Sequence, residues 1–241
     1  MIEIVEETGS TNADLLDRLR KGEELVDGHW LLARSQSKGR GRSGRPWLAT
    51  GGNLYASTIL RLREDDPPAH TLSLVIGLAV YEYVCGAMFD HDRDKVALKW
   101  PNDVLIDGAK TAGILLERHE DTVVAGVGIN LHGAPEIAGR KTTYLSQWNS
   151  KYEASQEHAL KYLAPCVKRE LDHWRTEGTP HLIARWCAAA HSIGTKLVVH
   201  DGQGQVAAGK FAGLDQDGAL ILRLPDGQTR VIHAGDVMLE D

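Results

Sequence analysis

The chain has 241 residues, 42% hydrophobic and 25% charged, with a formal net charge of −6. This is the make-up of a soluble globular protein of one large domain, or one large and one small, and its acidity argues against bulk attraction to nucleic acid. Three cysteines, Cys85, Cys166 and Cys187, lack a close C-x-x-C pair, which excludes a zinc or dithiol redox motif and reads as incidental thiols in a reducing cytoplasm.

The first ten residues, MIEIVEETGS, carry acids where a secretory signal carries basic residues. The longest apolar stretch, Ser73–Tyr81, is too short to span a bilayer, so no membrane partner is expected. Ile2–Val5 reads as a strand. Ser10-Thr11-Asn12 offers N-cap side chains to a helix marked by Leu15, Leu16 and Leu19 and stopped at Gly22. Trp30–Ala33 and Asn53–Leu62 read as strands, the second ended by Glu64–Pro68. Thr71–Met88 has the apolar spacing of a buried helix. Val96–Lys99 and Val104–Ile106 flank a tight Trp100-Pro-Asn-Asp103 segment. Asp107-Gly108 is a hairpin turn signal, with Thr111–Glu117 as the return strand and Thr122–Ile129 extending the sheet. Leu160 to Trp174 traces a second amphipathic helix, in which Pro165 is expected to produce a kink. Thr179-Pro180 caps a third, His181–Ala190. Beyond Ser192 the texture changes to short strands separated by DGQG, DQDG and PDGQ turns. The expected division is therefore 1–191 and 192–241, the second a small barrel.

One segment departs from the chain's average. Between Arg34 and Trp47 lie Arg34, Lys38, Arg40, Arg42 and Arg45 with no acid, in the glycine-rich run Gly39–Trp47 (GRGRSGRPW). Gly39 to Gly44 formally matches G-x-G-x-x-G, and Glu64 lies at a suitable distance for the acid of a dinucleotide fold. That fingerprint must open a helix, however, and here Arg45-Pro46-Trp47 and then a strand follow. An RGG-type nucleic-acid loop is longer, repeated and set in a basic chain. What remains is a loop whose glycines let the backbone close on a ligand and whose arginines offer forked donors to carboxylate and phosphate.

SQSKGRGRSGRPW, KWPNDVLIDGAKTAGILLE (Lys99–Glu117) and GVGIN (Gly126–Asn130), with Ser10-Thr11-Asn12 upstream, resemble the biotin protein ligase family in order and spacing. The resemblance implies an α+β fold: a mixed-sheet catalytic domain similar to the class II aminoacyl-tRNA synthetase and biotin ligase core, plus a C-terminal SH3-like β-barrel. It implies ATP-dependent activation of biotin to biotinyl-5′-AMP, then transfer to a lysine of a biotin carboxyl carrier protein. A lipoate or other acyl ligase of the same superfamily is the alternative.

By the same resemblance, Lys110 and Arg42 are catalytic. Ser10, Thr11, Asn12, Gln36, Gly39, Arg40, Gly41, Arg42 and Lys110 bind biotin. Arg40, Arg42, Arg45, Trp47, Asn102, Asp103, Lys110 and Asn130 bind ATP, and Asp103 holds the Mg2+ that accompanies it. Arg34 and Ser37 depart from the family pattern, where an acid and a threonine are more usual. Some members carry an N-terminal winged helix-turn-helix. Ser10 arrives too early for one here, so neither DNA binding nor repressor activity is expected. A homodimer through a sheet edge is a further expectation.

Overall fold

The computed structural model describes residues 1–200 and 206–239; the DGQG turn expected at 201–204 lies outside the described residues. The large sheet is built from β1 (Ile2–Thr8), β2 (Trp30–Gln36), β3 (Leu54–Arg61), β4 (Val96–Lys99), β5 (Asp103–Ile106), β6 (Ala109–His119) and β7 (Thr122–Ile129). Its order is β1-β2-β3-β7-β6-β5-β4, with β1 and β2 parallel and every other pair antiparallel. The helices are α1 (Thr11–Arg20), α2 (Leu72–Ala87), the single turn α3 (Leu145–Trp148) and the long α4 (Gln156–Ala189). A second, antiparallel sheet comprises β8 (Lys196–His200), β9 (Val206–Leu214), β10 (Leu220–Arg223), β11 (Thr229–Ile232) and β12 (Asp236–Leu239). Its strand order is β11-β10-β9-β8-β12. This is the expected α+β class: one mixed sheet and one small C-terminal β unit.

The period-two alternation of the strands decides which side chains meet which helix. Leu31, Ile59 and Val124 face α1 and pack with Leu15, Leu16 and Leu25. Their neighbours Trp30, Leu32, Leu60, Val123 and Ala125 face the opposite way, into the core shared with α2 and α4. Both faces of the central strands are covered, so β3 is buried without a break from Leu54 to Leu60. The expected strand at 53–62 and helix at 71–88 are recovered within a residue at each end. Ala69–Ala87 is long and apolar enough to cross a membrane by length and composition, a longer stretch than Ser73–Tyr81 suggested. Here α2 lies against the sheet and α4, with ten residues from Leu72 to Val84 buried.

Two expectations about α4 change. No residue near Pro165 leaves helical dihedrals; the interruption is at Gly178, with φ 76° and ψ −177°. Glycine reaches that φ without the Cβ clash other residues meet. The expected helix 181–190 is therefore the continuation of α4 beyond this break.

The two sheets share apolar material. Leu197, Val199, Phe211, Leu220 and Val237 from the second belong to the same buried cluster as α2, α4 and the first. Polar ties reinforce the join. The Trp100 Nε1–H donates to the Gly218 carbonyl at 3.0 Å, and Lys99 Nζ donates to the Val237 carbonyl at 3.0 Å.

His191 lies where α4 gives way to the second sheet, its ring 4.5 Å from that of Phe211 and set edge-on to it. Burial pushes its pKa down from 6.5 to about 4, and the backbone at Ser192 offsets only part of that. The unfolded chain thus binds a proton here, between pH 6.5 and 4, that the folded chain refuses. Stability is full above the unfolded pKa and declines as pH falls through this window. We expect urea unfolding at pH 7 and pH 5 to show that His191→Leu loses less stability over the interval than the parent; identical losses would remove His191 as the cause.

Candidate active site

Three cross-strand rows explain where the cleft lies. On the α1 face of the large sheet, Ile59, Val124 and Glu117 form one row, Ser57, Gly126 and Leu115 the next, and Tyr55, Gly128 and Gly113 the last. The first row lies under α1. Beyond it the floor drops, because Gly113, Gly126 and Gly128 present no side chain. A Cβ at Gly126 would collide with Asn12 Oδ1, and one at Gly128 would sit 2.6 Å from the Trp47 ring. A Cβ at Gly113 would sit 2.8 Å from the same ring. The indole of Trp47 therefore lies on bare backbone, walling a cleft of about 680 Å³.

The Gly39–Trp47 segment closes as a miniature hairpin over this floor. Arg40 bridges to Pro46, the Gly41 N–H donates to the Arg45 carbonyl at 2.7 Å, and the Trp47 N–H donates to the Gly39 carbonyl at 2.9 Å. Ser43 and Gly44 turn the tip with φ of 54° and 72°. A Cβ at Gly39 would stand 2.5 Å from the Trp47 carbonyl oxygen. Gly39 thus shapes the loop and does not line the cleft. Ser10, Thr11, Asn12, Gln36, Arg40, Gly41, Arg42, Arg45, Trp47, Asn102, Asp103, Lys110 and Asn130 all do. Ser10 occupies the N-cap position of α1, but its side chain makes no capping hydrogen bond. Arg34 pairs with Glu6 at 3.1 Å and Glu157 at 2.6 Å outside the cleft.

Lys110 reaches the cleft through an irregularity. Asp107 and Gly108 turn with φ of 50° and 72°, both positive, as a two-residue hairpin of Asp-Gly type requires. The pairing then slips. Val104 faces Ala112 but Leu105 faces Lys110, leaving Thr111 as an extra residue in β6. Such a bulge re-aims the neighbouring side chain. It brings Lys110 onto the same face as Gly113, whose added Cβ would lie 3.0 Å from the Lys110 Nζ. Thr111 is fully buried, and its hydroxyl has no partner among the described residues.

Electrostatically, the site pairs most of its cations in advance. Asp103 takes Lys110 Nζ at 2.6 Å and Lys99 Nζ at 3.1 Å. Burial pushes the Asp103 carboxyl up, but Lys110 and Lys99 together outweigh it and hold it below the usual carboxylate range. Asp236, from β12, takes Arg45 at 2.9 Å and Arg140 at 2.8 Å. Arg42 donates to Asn102 Oδ1 at 3.3 Å and the Gly235 carbonyl at 3.5 Å, both weak bonds. Burial lowers the pKa of Arg42, with Asp103 and Asp236 opposing. A guanidinium half out of water, and without a close carboxylate, is the freest strong anion donor in the cleft.

Asn102 Nδ2 donates to the Ile114 carbonyl at 2.7 Å, fixing its oxygen toward Arg42. Asn130 Nδ2 donates to the Thr143 carbonyl at 3.0 Å, holding the segment that carries Arg140. The expected magnesium role of Asp103 does not fit. Both its oxygens already face lysines, at 2.6 Å and 3.1 Å, which leaves the carboxylate engaged as a tether for them.

Residues 5–133 match the family model described as the biotin/lipoate A/B protein ligase family, and residues 198–239 match the biotin protein ligase C terminal domain. The chain belongs to this family. Its relatives include the biotin–[acetyl-CoA-carboxylase] ligase of Paracoccus denitrificans, 37% identical over 95% of this chain and 97% of that one. The ligase of the same name from Mycobacterium tuberculosis is 38% identical over 98% of this chain and 88% of its own. Among solved structures, the biotin protein ligase of Aquifex aeolicus in complex with biotin and ATP superposes with a TM-score of 0.83 at 26% identity. That superposition spans 99% of this chain and 98% of the other.

Sequence reasoning missed Ser57, the glycine floor as a floor, and everything contributed by Arg140, Gly235 and Asp236. Alternation along β3, β6 and β7 contains the first two; no local pattern contains the last. Because Trp47 rests directly on Gly128, Gly128→Ala should cost about 1–3 kcal/mol of stability by overpacking. In a Trp47→Ala background the same change should cost little. A double-mutant cycle of thermal unfolding measures this coupling, and additive losses would mean that the indole does not rest on Gly128.

Proposed function

We propose that the protein activates biotin with ATP to biotinyl-5′-AMP and then transfers biotin to a lysine of a biotin carboxyl carrier protein. The observation that carries this reading is Lys110 and Arg42 converging on one cleft with the glycine-floored slot that Trp47 walls. The Paracoccus and Mycobacterium relatives are biotin–[acetyl-CoA-carboxylase] ligases, and the Aquifex ligase was solved with biotin and ATP, which favours biotin over lipoate.

In the first step a biotin carboxylate oxygen bonds to the α-phosphorus as the bond from that phosphorus to the β-phosphate bridge breaks, releasing pyrophosphate. Two anions must approach, so fixed positive charge lowers the barrier. Lys110, anchored by Asp103 beside Gly113, stands between the slot and the phosphate end, where it meets the carboxylate and the α-phosphate together. Arg42, anchored by Asn102, covers the mixed anhydride and slows its escape. In the second step the carrier lysine attacks the acyl carbon and AMP leaves. Ser10, Thr11, Asn12, Gln36, Arg40 and Gly41 take the biotin side. Arg45, Trp47, Asn102 and Asn130 take the nucleotide side. Magnesium would enter with ATP as part of the substrate.

Residues 1–191 form the catalytic unit and 192–241 the C-terminal barrel in this reading, acting in the reducing cytoplasm, where the three free thiols Cys85, Cys166 and Cys187 are at home. A homodimer would form through β1, one of the two edge strands of the large sheet, whose Ile2 and Ile4 are exposed.

Pyrophosphate exchange supported by biotin but not lipoate, with an ATP-dependent mass gain on one carrier lysine, is the expected result; exchange with lipoate alone sinks the reading. Lys110→Gln keeps a donor for Asp103 while removing the charge. It should slow adenylation about a hundredfold or more and lower the melting temperature only slightly. Parallel losses would make Lys110 structural. Arg42→Gly should release free biotinyl-AMP and relax acceptor selectivity, whereas retention of the adenylate would show that Arg42 does not guard it.

A further inference from the structure

One hydrogen-bonded chain runs from the arginine loop along the α1 end of the cleft, and its direction is fixed at a single residue. Glu117 accepts from Arg40 Nη2 at 2.7 Å through Oε1, and from Asn12 Nδ2 at 3.0 Å through Oε2. A carboxylate in an ion pair only accepts. Asn12 must therefore turn its NH2 toward Glu117, which also serves the Leu115 carbonyl at 3.2 Å. Its Oδ1 is left to face Ser57, whose hydroxyl donates to it at 2.6 Å.

A hydroxyl has one proton. With that proton committed to Asn12, Ser57 must accept in its 2.6 Å contact with Thr11 Oγ1, and Thr11 is the donor there. The 3.1 Å approach of Thr11 Oγ1 to Gln36 Oε1 then carries no proton. Gln36 Oε1 instead accepts the Thr11 backbone N–H at 2.8 Å, which orients the amide. Thr11 Oγ1, its proton committed to Ser57, is left to accept from the cleft, and Gln36 Nε2 is left to donate into it.

We propose that Glu117 is a positioning residue that sets the donor–acceptor polarity of the pocket receiving the ring urea of biotin, and couples that polarity to the arginine loop through Arg40. The inference rests on the biotin reading above. Glu117 does not line the cleft; it acts through Asn12, Ser57 and Thr11. If the carboxylate becomes an amide, the Asn12 amide can flip and Ser57 and Thr11 can reverse their protons. The Thr11 hydroxyl, an acceptor toward the cleft in the parent, then becomes free to donate there, while Gln36 stays fixed by the Thr11 backbone N–H. A urea carbonyl between two N–H groups discriminates strongly between pockets of opposite polarity.

The test is Glu117→Gln, assayed by pyrophosphate exchange with biotin and with 2-iminobiotin, in which a nitrogen replaces the urea oxygen. We expect the biotin KM to rise about ten- to a hundredfold while the ATP KM and the melting temperature stay near the parent values. The preference for biotin over 2-iminobiotin should narrow. Ser57→Ala, which cuts the chain beyond Glu117, should narrow it too, and Glu117→Asp, still acceptor-only, should keep it. An unchanged biotin KM with unchanged preference in Glu117→Gln overturns the proposal. So does an equal weakening toward ATP and biotin, which would mean general disruption. If the parent enzyme itself does not exchange with biotin, the function reading fails instead, so the two failures are separable.

Discussion

Backbone approach without side chains governs this molecule more than any single charge. Gly113, Gly126 and Gly128 occupy one face of two adjacent strands, where alternation would otherwise place three side chains against α1 and the arginine loop. Because those positions are bare, Asn12 can drop onto the sheet at one end and the Trp47 indole can lie flat at the other. The glycines also leave the opposite face untouched: Ile114 and Val127, between them in sequence, pack into the large core. A recess is thus carved without weakening the sheet's buried side, and every functional side chain is placed by reference to that recess.

The electrostatic arrangement answers a difficulty of its own. A cleft for two polyanionic reactants needs several cations, and cations crowded together repel one another when empty. Here acids separate them: Asp103 between Lys99 and Lys110, Asp236 between Arg45 and Arg140, Glu117 beside Arg40. The partly exposed pairs contribute little net stability by themselves. Their effect is geometric, since each long side chain is held in one place before a ligand arrives, which lowers the ordering cost of binding.

The large elements were legible because period-two and 3.6-residue patterns are local. The strand entering the loop, the Asp-Gly hairpin, α2 and the chain of short C-terminal strands stood out for that reason. The loop's closure and the convergence of Lys110, Arg42 and Asn102 rested on motif resemblance, and the cleft does contain them. Less legible were features set by tertiary context. Pro165 sits in α4 without a break, while Gly178, unremarked in the sequence, supplies one. The bulge at Thr111 turns Lys110 into the cleft although strict alternation from Gly113 would send it the other way. Asp103 read as a metal ligand by residue type, and its tethering of two lysines depends on Lys99 and Lys110 being brought to it from neighbouring strands. Asp236 carried no motif, since its role exists only where β12 meets the arginine loop.

That last junction bears on how the enzyme comes into being. Arg42 contacts Gly235 across 193 positions of sequence, and Arg45 meets Asp236 beside it. The floor and the arginine loop are complete by Gly128, but their far wall, at Gly235 and Asp236, comes much later in the chain. Contacts of such long separation form late, after closure of a large loop. A nascent chain would therefore carry the recess and its lysine before it can enclose a nucleotide. Closure of the cleft is thus tied to docking of the second sheet, and a chain whose second sheet has not yet packed lacks the wall that Gly235 and Asp236 provide.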